Sequence, residues 1–222
     1  MKNNNAELSA YLKAMHSSGR LLVFRNVEEL SFLKEWISGK YDSKRAVNPE
    51  PGSNTPGNYI QNCKLCGDVT NKKPGWGTGK NEIMIILNAP LNISKIEINK
   101  FKDESRELLS RMIGAINMEL KESYITNLIK CAPGDSVNSP GMMLKNCLPI
   151  LTQEITEYNP KIIIVMGDDT PVKRIMNQHK KILWYKIDHP INIIKNPELK
   201  KPAWITLKKL IADLNNINKT DL

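Results

Sequence analysis

Four short apolar runs, each followed by residues with helical spacing, constrain the fold of this chain more than any other feature. The runs are Glu82–Leu87, Tyr124–Ile129, Lys161–Met166 and Ile182–Ile187. A run that is nearly all apolar, rather than apolar at every second position, is typical of a strand buried on both faces of a parallel sheet. The sequence therefore predicts an α/β fold, with a central four-stranded parallel sheet between helices in three α/β/α layers.

Helical periodicity fills the intervals between these runs. Apolar residues recur every three or four positions, which predicts helices over 101–118, 146–158, 171–179 and 204–214. Pro149 is compatible with the second of these only in a first turn, where a missing N–H costs nothing. Similar spacing of Leu8, Tyr11, Leu12 and Met15 predicts a helical N-terminal extension, residues 1–45, ahead of the main domain, residues 46–222.

Composition and charge limit the function classes. Lys and Arg number 32 against 23 acidic residues, for a net charge of +9, which suits either a polyanionic partner or an ordinary lysine-rich surface. No apolar run approaches the roughly 20 residues of a membrane span, and the start of the chain has no secretion signal. These features favour a cytoplasmic protein that does not bind membranes.

Four cysteines are spaced as C-x2-C, then 64 residues, C, 15 residues and C. Disulfides are improbable in a reducing cytoplasm. Unpaired core cysteines would not require the close spacing of Cys63 and Cys66, which suits two thiolates on one metal centre. Such a centre would order the Pro- and Gly-rich residues 41–81, a long stretch with no structure of its own. Zinc and an iron–sulfur cluster both fit this spacing.

The segments that follow the strands are the expected ligand site, because ligands bind beyond the carboxyl ends of parallel strands. These segments are Asn88-Ala89-Pro90, residues 127–133, Gly167-Asp168-Asp169 and Asp188-His189-Pro190. They contain amides, carboxylates and one imidazole. Side chains of this kind are suited to hydrogen bonding and to proton transfer.

In these segments the chain resembles family 4 uracil-DNA glycosylases, the iron–sulfur branch of that superfamily, over residues 58–215. Residues 124–133, YITNLIKCAP, are close to the family's YITNVVKCRPP, and the cysteine spacing is the same. Met166-Gly167 corresponds to the end of a family strand and His189-Pro190 to the family's HPS motif. The resemblance implies a DNA glycosylase with a DNA partner and a [4Fe–4S] cluster on Cys63, Cys66, Cys131 and Cys147, with zinc as the alternative.

The resemblance also implies roles for individual residues. A glycosylase flips its base out of the helix and needs a platform, a base reader and a stabiliser of the leaving base. Phe101 corresponds to the platform, Asn127 to the base reader and His189 to the stabiliser of the departing anion. Ala89 and Pro90 would line the base pocket. Pro190, Ile191 and Lys195 would contact DNA, with Ile191 or Ile193 as an apolar wedge in the gap left by the base.

The first motif departs from the family. GEAPG is replaced by Leu87-Asn88-Ala89-Pro90-Leu91, so that Asn88 stands at the catalytic glutamate. An amide holds water but takes no proton, and Asp103, Glu104 and Asp188 are candidate substitutes. The lost glycines predict a reshaped pocket for a modified pyrimidine, such as those of phage DNA, and hence an antiviral defence enzyme. The chain is expected to be a monomer. The alternative is an inactive, DNA-binding member of the superfamily.

Overall fold

The structure is a computed structural model that describes residues 60–61, 63–66, 72–88, 95–131 and 140–220. The predicted N-terminal extension, residues 1–45, and the motif residues Ala89, Pro90 and Leu91 lie outside the described residues. In chain order the helices and strands are β1 Ile83–Leu87, α1 Lys95–Lys100, α2 Lys102–Gly114, β2 Tyr124–Asn127, α3 Pro140–Tyr158, β3 Ile162–Met166, α4 Lys173–Gln178, β4 Leu183–Ile187, α5 Pro190–Lys195 and α6 Lys200–Thr220.

The strands form one four-stranded sheet in the order β2-β1-β3-β4. β1 pairs in parallel with β3, and β3 pairs in parallel with β4, in a register that aligns Leu87, Met166 and Ile187 at the strand ends. Every residue of β3 is buried, as expected for a central strand covered on both faces. The α/β class with a four-stranded parallel sheet is confirmed.

The chain forms two compact units, and each has its own buried side chains. One unit contains the described residues up to Trp76, with residues 126–159 and 170–180; the other contains residues 77–125, 160–169 and 181–222. In the first unit, the buried apolar residues include Leu128, Leu144, Leu148, Leu151, Ile155, Val172 and Ile175. In the second, they include Ile83, Ile85, Ile113, Ile125, Ile164, Ile187, Ile193, Leu207 and Leu210.

Several helix boundaries differ from prediction. α3 begins at Pro140, not Asn146, and Pro149 lies in its interior. The first-turn prediction was wrong because a proline removes a single backbone hydrogen bond, and here Leu148, Ile150 and Leu151, buried around it, favour helix on both sides. Helices α1 and α5 were not predicted. None of the helices in the described residues is long and apolar enough to cross a membrane.

Candidate active site and cysteine cavity

The carboxyl ends of β1, β3 and β4 bring three of the predicted segments to one edge of the sheet. Asn88, Gly167 and Asp188 each follow the aligned strand ends, and the backbone pairing extends to Asn88 and Gly167. The Asn88 N–H donates to the Met166 carbonyl at 2.9 Å, and the Gly167 N–H donates to the Ile187 carbonyl at 2.8 Å. Asn88 and the start of the His189 segment are therefore two strand spacings apart, about 10 Å.

Gly167 makes this close approach possible. Its φ of 114° lies in the region that favours glycine, and a Cβ at this position would lie 2.4 Å from the carbonyl oxygen of Asn88. No other residue type fits here without moving the backbone. The glycine predicted as the end of a family strand is thus required by the packing of β3 against the residue after β1.

Asn88 is buried and its amide has a specific partner. Nδ2 donates to the backbone carbonyl of Asp168 at 2.8 Å, which links the residue after β1 to the turn after β3. The oxygen Oδ1 remains as an acceptor able to hold a water molecule. A carboxylate at this position would have no proton to donate to the Asp168 carbonyl, so that this hydrogen bond requires the amide.

His189 is the residue before α5, and its ring caps that helix. Nδ1 accepts a hydrogen bond from the Ile191 N–H at 3.3 Å. Burial of the ring lowers the pKa of His189 to about 4, so that the imidazole is neutral near pH 7. Because Nδ1 accepts, the single proton of the neutral ring is on Nε2. His189 therefore presents a neutral N–H donor rather than a positive charge.

Phe101 lies at the junction of α1 and α2 and is partly buried. Its N–H donates to the Glu97 carbonyl at 2.9 Å, and the Lys100 Nζ lies 5.7 Å from the ring centroid. α2 packs against α5, the helix that His189 caps. Lys195 of α5 also forms an ion pair with Glu97 of α1 at 2.9 Å. These contacts hold the helices that carry Phe101 and His189 together.

The predicted DNA wedge is wrong for both candidate isoleucines. Ile191 and Ile193 are 2% and 1% exposed, because the segment after His189 is helix α5 and turns these side chains inward. Pro190, at the first position of α5, is also buried, whereas Lys195 is exposed. The His189 ring caps this helix and Pro190 occupies its first position, where proline is favoured.

Asn127, the predicted base reader, is the last residue of β2 and is half buried. Its backbone carbonyl accepts a hydrogen bond from the Lys130 Nζ at 3.0 Å. Lys130 itself is fully buried, with its ammonium 2.6 Å from a carboxylate oxygen of Glu154. Sequence reasoning missed this pair. A lysine within an otherwise apolar run, Leu128-Ile129-Lys130, was the available signal.

The four cysteines line a single cavity within the first unit, together with Ile60, Lys72 and Asn146. Asn146 Nδ2 donates to the Cys66 sulfur at 3.3 Å and to the Leu65 carbonyl at 2.9 Å. The Lys130 N–H donates to the Cys147 sulfur at 3.5 Å. Sulfur atoms that accept N–H hydrogen bonds are typical of iron–sulfur sites, where such bonds tune the cluster.

The thiols interact with one another. A hydrogen bond from Cys147 lowers the pKa of Cys131 to about 7, and the same bond, together with burial, raises the pKa of Cys147. Burial raises the pKa of Cys66. In the described part of the chain, no three His, Cys, Asp or Glu side chains surround a point as a single metal ion requires. Four soft sulfur donors that line one cavity are the donor set that an iron–sulfur cluster would use.

Comparison with known proteins gives a consistent result. The family model described as "Uracil DNA glycosylase superfamily" matches residues 74–214. A type-4 uracil-DNA glycosylase of Saccharolobus solfataricus is 37% identical over 108 residues, 48% of this chain and 50% of that protein. The chain thus spans half the length of that relative. The type-4 enzyme of Archaeoglobus fulgidus is 24% identical over 68% of this chain and 87% of its own length. The type-4 enzyme of Sulfurisphaera tokodaii is 28% identical over 67% of this chain and 77% of its own length.

Proposed function

Because the chain belongs to the uracil DNA glycosylase superfamily, we propose that it hydrolyses the N-glycosidic bond of uracil in DNA and leaves an abasic site. The observation that carries this proposal is the neutral imidazole of His189, a fixed N–H donor at the sheet edge where Asn88 also lies. The type-4 uracil-DNA glycosylases among its relatives support the choice of base.

The chemistry assigned to each residue follows from its donors and acceptors. Uracil leaves as an anion, and the Nε2–H of His189 would donate to a carbonyl oxygen on which that charge develops. Phe101 would stack on the flipped base, and the amide of Asn127, which both donates and accepts, would read its edge. Asn88 Oδ1 would orient the attacking water. Ala89 and Pro90 would complete the base pocket.

A neutral histidine suits this reaction. An uncharged donor leaves the bound neutral base unperturbed and forms a stronger hydrogen bond as the base becomes an anion, so that it stabilises the transition state more than the substrate. A histidine with an ordinary pKa would be partly charged below neutral pH and would give a rate that depends on its titration. With a pKa near 4, the donor is present across the physiological range.

The cysteine cavity is proposed to hold a [4Fe–4S] cluster on Cys63, Cys66, Cys131 and Cys147. The cavity's donor set and the hydrogen bonds from Asn146 and Lys130 to its sulfurs support this assignment. When bound, the cluster would supply a structural crosslink of four thiolate–iron bonds, because the cysteines come from three separate chain segments. Zinc is the alternative occupant, and it would leave the protein colourless.

A modified pyrimidine is the second candidate substrate. The observation that favours it is Asn88, whose amide is engaged with Asp168 where the family has a catalytic carboxylate. A role in defence against phage DNA depends on that specificity. The inactive, DNA-binding alternative depends on the same residue. The predictions of a monomer and of a cytoplasmic location stand as expectations from the sequence.

The test is a base-release assay on the purified protein with the metal content it has when isolated. Duplexes that contain uracil, 5-hydroxymethyluracil or thymine at one position, and a single strand with uracil, are incubated and then treated with alkali to cut at abasic sites. Uracil excision that falls in His189→Gln and Asn127→Ala supports the proposal. Excision of only the modified base would support the second candidate, and no release from any substrate would support the inactive alternative.

Iron, zinc and acid-labile sulfide are measured on the same preparation. About four irons and four sulfides per chain, with broad visible absorbance, are expected for the cluster. Cys147→Ser should lose most of this iron, whereas Thr152→Ser, a small substitution on the same helix, should retain it. One zinc per chain without sulfide would refute the cluster assignment but not the glycosylase activity.

A further inference from the structure

A buried ion pair, Lys130 and Glu154, contacts the backbone of the proposed base reader, Asn127. Lys130 and Glu154 have side-chain exposures of 0% and 1%. The Lys130 ammonium donates to Glu154 Oε2 at 2.6 Å, to Thr126 Oγ1 at 2.6 Å and to the backbone carbonyl of Asn127 at 3.0 Å. These contacts use all three ammonium protons. The Thr126 hydroxyl in turn lies 3.0 Å from Glu154 Oε2, to which it can donate.

Stability alone does not explain this arrangement. Removing two charges from water costs free energy that their attraction only partly recovers, and well-packed apolar replacements are often as stable. A buried pair of this kind has its clearest use where it specifies one conformation. The ammonium contacts the carbonyl of Asn127, so that it fixes the peptide plane at the residue where β2 ends.

The main chain of Lys130 contacts the cysteine cavity at the same time. Its N–H donates to the Cys147 sulfur at 3.5 Å, and its carbonyl accepts from the Lys73 N–H at 2.7 Å. The next residue, Cys131, pairs with Lys72 in an isolated antiparallel bridge. One residue therefore anchors the base reader through its side chain and the cavity wall through its backbone.

We infer that Lys130 and Glu154 are positioning residues for Asn127. They hold the Asn127 backbone, and hence the origin of its side chain, in the conformation that reads a pyrimidine edge. This inference rests on the proposed function, since it requires that Asn127 contact the base. Both side chains are buried, so that neither would contact the base or the sugar. Their effect on base recognition is exerted only through Asn127.

The main test variant is Lys130→Met combined with Glu154→Gln. Methionine removes the ammonium at similar volume, and glutamine keeps an acceptor for Thr126, so that no lone charge is buried. Thr126→Val is the second variant, because it removes one partner of the ammonium and leaves both charges in place. The matched control is Lys161→Met with Glu82→Gln, the same two substitutions in a partly exposed ion pair of 3.2 Å in the other unit.

The readout is base preference in binding, measured on the full-length protein with its native metal content. Duplexes carry 2′-fluoro-2′-deoxyuridine, which resists cleavage, or the corresponding cytidine analogue, and the ratio of the two Kd values gives the preference. The double variant is expected to lose about tenfold of this preference, the value of one good hydrogen bond, and Thr126→Val about threefold. The control should keep the wild-type ratio and the wild-type visible absorbance.

Combination with Asn127→Ala gives the decisive result. If the pair acts through Asn127, adding its changes to Asn127→Ala lowers the preference no further. The inference is overturned if the loss of preference caused by the double variant multiplies with the loss caused by Asn127→Ala. It is also overturned if the double variant keeps the wild-type preference. A fall in visible absorbance in both Thr126→Val and the double variant, with the preference intact, would assign the pair to the cysteine cavity alone. If the wild type neither prefers nor releases uracil, the proposed function itself has failed and the inference fails with it.

Discussion

The buried, neutral His189 gives a quantitative prediction for acid stability. Its pKa is lowered from 6.5 to about 4 by burial. The unfolded chain therefore binds a proton at this residue at a higher pH than the folded chain. The contribution to stability is complete above pH 6.5 and is lost as pH falls toward 4. The two pKa values give a loss of about 2 kcal/mol at pH 5 and about 3 kcal/mol below pH 4.

The perturbation is His189→Gln, which keeps a polar side chain and removes the titration. Urea unfolding at pH 7, 6 and 5 gives the free energy of unfolding of each protein. The wild-type value is subtracted from the variant value at each pH, and the change of this difference with pH is the result. That difference should move by about 2 kcal/mol in favour of the variant between pH 7 and pH 5. Asn192→Gln on the same helix, which has no titrating group, should give a difference that does not change with pH.

His189→Ala, which removes the donor altogether, tests the neutral donor in catalysis. Loss of one fixed donor to a developing anion costs about 10²–10³ in kcat, or 3–4 kcal/mol. The wild-type kcat should not fall with a midpoint near pH 6.5, since the ring is already neutral there. The reasoning is refuted if the stability difference is constant from pH 7 to pH 5, or if kcat follows a titration near 6.5 that His189→Gln abolishes.

Three further outcomes are expected. In the urea assay, Gly167→Ala should lower the free energy of unfolding by more than about 2 kcal/mol, because φ is 114° there and the added Cβ would meet the Asn88 carbonyl. The control is Gly114→Ala, where the added Cβ meets no atom within 4 Å, and it should be neutral or stabilising by up to about 1 kcal/mol. Asn88→Asp should destabilise by about 1–3 kcal/mol, because the Asp168 carbonyl loses its donor. Asn88→Ala should lower the kcat of the folded protein less than tenfold, because an amide cannot supply the roughly 10²–10⁴-fold rate acceleration of a general base. A 10³-fold lower rate in single-turnover assays would contradict this.

The strands were predictable because burial on both faces leaves an almost purely apolar run, and three of the four predicted ranges differ from the structure by one residue. β2 was predicted to reach Ile129 but ends at Asn127. Leu128 is buried beyond the strand end, so hydrophobicity continues where the extended backbone stops. At the strand end the Lys130 ammonium, three residues on, donates to the Asn127 carbonyl. The same ammonium donates to Glu154, 24 residues away, a long-range contact that local patterning does not detect.

The candidate site was predictable to the extent that it depends on strand ends. Parallel pairing in register places Asn88 and the His189 segment at one edge whatever the side chains do, and the four cysteines meet in one cavity. The direction of individual side chains was not predictable. Ile191 was assigned to DNA from its place after the HPS-like motif, and it is in the core because His189 and Pro190 start a helix. A cap is a local hydrogen bond that hydrophobic patterning does not detect.

The asparagine in the first motif is best understood together with the histidine. Its amide donates to the Asp168 carbonyl, so a proton acceptor is replaced by a group that holds the turn after β3. A glycosidic bond that breaks largely before water attacks needs little help from a base, because the sugar cation is already electrophilic. The barrier then depends mainly on the charge that develops on the leaving base. If the chain hydrolyses the glycosidic bond of uracil as proposed, a site with Asn88 and a neutral His189 donor would suit that order of events, because the donor would stabilise the departing base.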